Sequence, residues 1–328
     1  MVKQQIKNML EQVASRCGPH RLSGSSPRLW VLMYHRVLPA SDARFAQEEP
    51  GMIVTPDSFR QQLRILKQLF ELMPLSEWIE RRASGKPLPA RACAVTFDDG
   101  WLDNYEYALP ILREEQVPAT LFAVSHMIGT TRQFWPNRLA RVLAESSANT
   151  PLPSLEKLPG YVGGSFDREA SAGLIRQAKT LGDDELNALI NDAEQQLELP
   201  PLADAALVNW DQLREMQHSG LIEIGSHTCN HYRLLDTLPP DLLHREIVES
   251  RSLLETQLEQ PVKLFCYPNG DVCPAAIELV RENYLAAVTT QRGINTAAMA
   301  PHELLRIGIH DDISNTPTRF QARLSGWV

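Results

Sequence analysis

Seven short apolar runs separated by amphipathic stretches govern what this chain can become. The runs are "LWVLMY" (29–34), "ACAVTF" (92–97), "ATLFAVS" (119–125), "LIEIGS" (221–226), "VKLFCYP" (262–268), "LAAVTT" (285–290) and "LLRIGIH" (304–310). Between them, residues 56–70, 102–116, 210–220, 239–260 and 275–283 carry helical periodicity, with Pro56 opening the first and Pro110 placed to kink or divide the second. Apolar runs alternating with helices predict parallel strands joined by crossover helices. Seven or so such units without a Gly-rich nucleotide loop predict an α/β fold: a distorted (β/α) barrel of about seven parallel strands. Residues 131–208 break the rhythm, being rich in Pro, Gly, Ser and Asn with helical stretches at 137–147 and 184–198. They read as an insertion on one barrel loop, able to border a substrate groove.

Chemistry in a parallel barrel gathers at the carboxyl ends of the strands. Here the runs end at Tyr34-His35, Asp98-Asp99, His126, His227, Asn269-Gly270 and His310-Asp311-Asp312. Polar or ionisable residues thus occupy nearly every strand tip on one rim. "TFDDG" is good turn chemistry. Two adjacent buried carboxylates would also repel unless a cation neutralised one and left the other as a base. "SHTCNH" places His227 and His231 four residues apart; on a helical turn both rings point the same way. Either they are locally satisfied polar side chains, or with a carboxylate they form a site for one borderline divalent metal. Zinc suits that ligand set, with cobalt or nickel as substitutes.

Composition narrows the partners. The net charge is −8 and the pI about 5.6, with no basic stripe, which argues against nucleic acid. No stretch approaches the ~20 consecutive apolar residues of a membrane span. The first 27 residues lack the apolar core and cleavage site of a signal peptide, so a cytoplasmic location is expected. Residues 2–16 set Val2, Ile6, Met9, Leu10 and Val13 on one helical face, opposite Lys3, Lys7 and Glu11. That helix either packs on its own domain or touches a membrane surface. "GPHRLSGSSP" then breaks structure, dividing an N-terminal helix and linker (1–28) from the barrel (29–328). Cys17, Cys93, Cys229, Cys266 and Cys273 form no CxxC pair and read as reduced thiols. His20, His218, His244 and His302 read as solvated, and His126 as a groove residue at most.

"TFDDG", "SHTCNH", "FCYPNG" and "LMYHRV", with Trp210-x-x-Leu-x-x-Met-x-x-x-Gly220 leading into the histidines, resemble the polysaccharide deacetylase family of NodB-homology carbohydrate esterases. Within it the early "YH" is most similar to the exopolysaccharide and poly-N-acetylglucosamine deacetylases. The resemblance implies a metal-dependent hydrolase that removes N-acetyl groups from a sugar or glycan intermediate and releases acetate. It makes Asp98 the base, and Asp99, His227 and His231 the ligands of one divalent metal. The Asn269 main-chain N–H stands where the family holds the oxyanion. Cys266 stands where many members have the Arg that orients the base, and Arg306 is the candidate replacement. "LMYHRV" favours His35 as general acid, with His310 the alternative. An O-deacetylase or small-molecule amidohydrolase, and a non-catalytic carbohydrate-binding relative, stay open. The sugar, the native metal and the oligomeric state are not read from the sequence.

Overall fold

Each of the seven apolar runs is buried on both faces, and a strand buried on both sides needs neighbours on both edges and helices outside. In the computed structural model they are β1 (Arg28–Tyr34), β2 (Arg91–Phe97), β3 (Ala119–Ala123), β4 (Ile222–Ser226), β5 (Leu264–Cys266), β6 (Ala286–Arg292) and β7 (Leu304–Gly308). They are parallel and neighbour one another in chain order. β1 pairs with β2 from Arg28↔Arg91 to Tyr34↔Phe97. On its other edge β1 meets β7 at Leu32↔Ile307. The sheet is therefore a closed seven-stranded parallel barrel, as the alternation predicts. The structure describes residues 2–327 except 23, 25, 147–149 and 164–165. The side chains of Val2 and Lys3, together with Ser23, Ser25 and Ser147, lie outside the described residues.

Period-two alternation divides the core. Leu29, Val31, Ala92, Ala94, Phe122, Leu264, Val288 and Leu304 fill the barrel, with Trp78 packed against them. Trp30, Leu32, Tyr34, Cys93, Val95 and Phe97 face outward into the helix layer. Gly225 pairs with Phe122 across β3 and β4, and a Cβ there would stand 2.4 Å from the Phe122 ring, so the missing side chain makes room for that ring.

The helices are α1 (Val2–Cys17), α2 (Pro56–Leu69), α3 (Leu75–Ala83), α4 (Leu109–Glu115), α5 (Trp135–Glu145), α6 (Arg168–Ala178), α7 (Asp183–Gln196), α8 (Trp210–His218), α9 (Ser250–Leu258), α10 (Pro274–Asn283) and α11 (Pro317–Leu324). Pro110 sits in the first turn of α4, directly after a wide π-helical turn at Asn104–Ala108. The wide turn accommodates a proline without an N–H, and the helical backbone runs through it from residue 102 to 115 rather than dividing. Among its described residues the 131–208 segment holds three α-helices rather than two. Its extra member, α6, begins where the Asp167 side chain accepts from the Ala170 N–H; small residues blur its periodicity in the sequence. These helices share their own core of Trp135, Leu139, Val142, Leu155, Leu174, Ile175, Leu186 and Ile190.

The insertion is fastened to the barrel rim at two places. On one side Asn137 donates to Glu48 at 3.2 Å and Arg168 to the Glu48 carbonyl at 2.8 Å. On the other, buried Arg233 pairs with Asp183 at 2.9 Å, and Lys179 donates to the Asn269 side chain at 2.8 Å. At the N-terminus α1 docks on α11, linked by Glu11–Arg319 at 3.8 Å. His20 departs from its expected solvation. It is fully buried and its Nε2 meets the Ser15 carbonyl at 3.2 Å. The compact turn through Gly18 folds this segment back against Ser325, which is why the ring loses water. The five cysteines are free thiols.

Candidate active site

β2 ends by delivering Asp98 and Asp99 to the rim, and the two acids meet different surroundings. Asp98 is 2% exposed and faces Arg306 from β7, with Oδ1–Nη1 and Oδ2–Nη2 both 2.7 Å. The guanidinium is itself fixed, donating to the Thr289 carbonyl at 2.7 Å and to Thr96 Oγ1 at 3.2 Å. Burial opposes ionisation of Asp98, but the Arg306 charge and hydrogen bonds outweigh it and hold the carboxyl below the ordinary range. Cys266 Sγ lies 3.2 Å from Arg306 Nη2 and 3.6 Å from Asp98. A small residue at 266 leaves the space through which Arg306 reaches across the barrel.

Asp99 adopts a left-handed φ of 77°, which turns its side chain away from Asp98. Its Oδ1 is 3.5 Å from His227 Nε2 and 3.5 Å from His231 Nε2, while Oδ2 accepts from Trp101 Nε1 at 2.8 Å. The His227 and His231 rings are 4.9 Å apart. They stand on a loop, not on the helical turn their spacing implied. Thr228 and His231 have positive φ, and Thr228 Oγ1 accepts the His231 N–H at 2.8 Å, so a tight bend brings the rings together. His227 Nδ1 donates to the Cys266 carbonyl at 2.8 Å, which turns Nε2 toward Asp99. Burial opposes a charge on this ring, but the Cys266 and Asp99 neighbours outweigh it and raise the His227 pKa well above its ordinary value. Burial, then the neighbouring His227, push the His231 pKa down to about 3, keeping that ring neutral.

Asp99, His227 and His231 offer ligand atoms within 4.8 Å of one another. Asp98, His227 and Cys266 form a second such grouping. There Arg306 already occupies both Asp98 oxygens, and burial raises the Cys266 thiol pKa. The donor chemistry fits a divalent ion at the first grouping: one ionised carboxylate faced by the Nε2 atoms of two imidazoles, where a bound cation would take the place of the proton on His227.

A cavity of about 260 Å³ opens over these groups, lined by His35, Asp98, Asp99, His227, His231 and Asn269 together with residues from the insertion and the 48–52 loop. His35 Nε2 is 3.9 Å from Asp98 Oδ2, the oxygen that also accepts from Arg306 Nη2. His310 is bonded to Asp312 at 3.1 Å and does not line the cavity. His126 is exposed and 3.5 Å from the Asn230 side chain. Asn269 has φ 55°, held between Lys179 on its side chain and Thr290 on its carbonyl. Several contributors escaped the sequence reading. Arg36, one residue past His35, is buried between Asp103 and Glu48 and stacks 4.2 Å over Trp101, which in turn bonds Asp99. Glu49, from the 48–52 loop, and Trp135 and Lys179, from the ends of α5 and α6 in the insertion, also line the cavity. A charged residue beside a strand-tip histidine was the one signal available, for Arg36.

A closed parallel barrel whose carboxyl rim gathers two acids and three imidazoles over one cavity places these groups where such barrels carry their active sites. The polysaccharide deacetylase family profile matches residues 85–288, more than half of the chain, and the chain belongs to that family. A poly-β-1,6-N-acetyl-D-glucosamine N-deacetylase of Staphylococcus epidermidis is 26% identical over 205 residues, 58% of this chain and 69% of that protein. One of the same description from Escherichia coli K12 is 24% identical over 287 residues; the match takes in 79% of this chain but spans only 33% of the relative's length. The fold is shared with the Streptococcus pyogenes deacetylase PplD in complex with acetate (TM-score 0.59, 23% identity, 89% of this chain and 96% of that one). It is shared equally with IcaB from Ammonifex degensii (TM-score 0.58, 22% identity, 90% and 97%).

Proposed function

We propose that this chain hydrolyses the N-acetyl group of an acetamido sugar, in a glycan or glycan intermediate, to acetate and a free amine. Asp99, His227 and His231 would hold one divalent ion, zinc by ligand type, with cobalt or nickel as substitutes. When bound, such an ion polarises an acyl oxygen and acidifies water. The observation that carries the reading is the division of labour between adjacent acids: Asp99 faces two imidazoles, and Asp98 is held ionised by Arg306 beside His35.

Asp98 accepts the proton of the attacking water as the C–O bond forms. Arg306 fixes its orientation and keeps it anionic in a buried site. The Asn269 main-chain N–H is the oxyanion donor, a contribution worth about 3 kcal/mol. His35, beside Asp98, delivers the proton to nitrogen as the C–N bond breaks. The staphylococcal and E. coli relatives support N-acetylglucosamine polymers as the substrate class.

Acetate release from matched N- and O-acetylated sugars tests the reaction class, with release from the N-acetylated partner expected. Asp98→Asn should abolish turnover with metal content intact, whereas His231→Ala should lose the metal by elemental analysis. An Asp98→Asn enzyme with undiminished rate overturns the assignment.

A further inference from the structure

Helix α1 packs on the body through small and polar side chains. Ala14 and Ser15 are 2% and 6% exposed against the body, and Glu11 pairs with Arg319 of α11. The opposite side presents Ile6, Met9, Leu10 and Val13, which are 54%, 66%, 53% and 46% exposed. An amphipathic surface helix ordinarily turns its apolar stripe to the core. Scattered exposed apolar residues are commonplace, but four on one stripe of one helix form a patch that calls for an occupant.

The surrounding charge selects that occupant. The chain carries −8 overall, yet this corner is basic. Exposed Lys7 and Arg16 lie at the two flanks of the stripe. Beside Ile6 and Leu10, Arg319 and Arg323 of α11 close an apolar groove with Ile313; Glu11 is the acid among them and already pairs with Lys7 and Arg319. A second copy docked about a two-fold axis would bring the same cations onto one another. An anionic bilayer offers the complementary charge together with an apolar layer for the stripe. We propose that α1 seats the protein on an anionic lipid surface. Ile6, Met9, Leu10 and Val13 enter the acyl boundary, and Lys7 and Arg16 reach the headgroups with their stems along the apolar surface. The seat begins near the catalytic rim, because Ile313, which lines the same groove as Ile6 and Leu10, follows His310 and Asp311 after the end of β7.

Flotation of the full chain with phosphatidylcholine vesicles, with and without phosphatidylglycerol, tests this. Binding is expected only to the anionic vesicles, weakening as salt is raised. Met9→Asp with Val13→Asp should reduce it by about tenfold or more. Lys7→Glu with Arg16→Glu, which leaves the apolar row intact, should reduce it as well. All four positions are exposed, so melting temperature and acetate release without vesicles should stay at wild-type values. Failure of the full chain to float with phosphatidylglycerol vesicles, or equal flotation of both variants, overturns the proposal. So does a dimer in light scattering that Met9→Asp dissolves, which would assign the face to a second copy.

Discussion

Arg306 and Asp98 form a two-pronged ion pair sealed from solvent, with side chains 0% and 3% exposed and both N–O distances 2.7 Å. Truncating one member of such a pair leaves the other charge buried alone, a cost of about 3–5 kcal/mol. Arg306→Met should therefore lower the unfolding free energy by that order in a denaturant titration and remove turnover. Arg306→Lys keeps a charge but not the planar fork. It should recover most of the stability and little of the rate. Cys266→Arg on the wild-type background should destabilise, since the guanidinium of Arg306 already fills that space.

The two histidines nearest the rim separate on geometry. His35 lines the cavity 3.9 Å from Asp98, whereas His310 turns to Asp312 outside it. His35→Gln should cost about 10²–10⁴-fold in kcat, the usual worth of a positioned general acid. His310→Gln should stay within a few-fold. Steady-state acetate release decides, and the reverse ranking would move the acid to β7.

The strands and the rim were legible because both follow from short-range rules. Parallel strands buried on both faces read as continuous apolar runs, and the residue after each run must emerge at one end of the barrel. Arg306 stood out only through the family resemblance, as the cation in "LLRIGI" that could replace the one absent at Cys266. His227 and His231 were legible as a pair, but their presentation was not: the left-handed Thr228 and His231 are β-branched or bulky residues that carry no turn signal. Glu48, Lys179 and Trp135 were illegible for another reason. They reach the cavity through the fastening of the insertion to the rim, by Asn137–Glu48 and Lys179–Asn269, contacts between segments with no local periodicity to link them.

Gly270 holds Asn269 in place by having no side chain. Its φ is 76°, and a Cβ would stand 2.0 Å from Thr290 Oγ1 and 3.0 Å from the Thr290 nitrogen. Thr290 in turn bonds the Asn269 carbonyl at 3.0 Å. Gly270→Ala should cost about 1–3 kcal/mol from backbone strain, and it should displace the Asn269 N–H. If that N–H stabilises the oxyanion, kcat falls about 10²-fold or more with KM little changed. A rise in KM alone would make this turn a binding element instead.

His20 ties α1 to the body and makes that docking sensitive to acid. Burial, then the nearby Arg21 and Arg91, outweigh the Ser15 carbonyl and bring its pKa from 6.5 down to about 4. Its Nδ1 is buried with no hydrogen-bond partner among the described residues, so the folded site has nowhere to put a second proton. Between pH 4 and 6.5 the unfolded chain therefore binds a proton that the folded chain does not. By linkage, stability rises with pH across that window: the contribution is complete above about pH 6.5 and is lost as the pH falls toward 4. Replacing the ring by an uncharged group, as in His20→Asn, should lower the melting temperature at pH 7.5 while flattening its fall toward pH 4.5. The wild-type drop should exceed the variant's by roughly 2–4 °C in differential scanning calorimetry. Parallel curves for the two proteins would mean that His20 binds its proton equally well in the folded and unfolded chain.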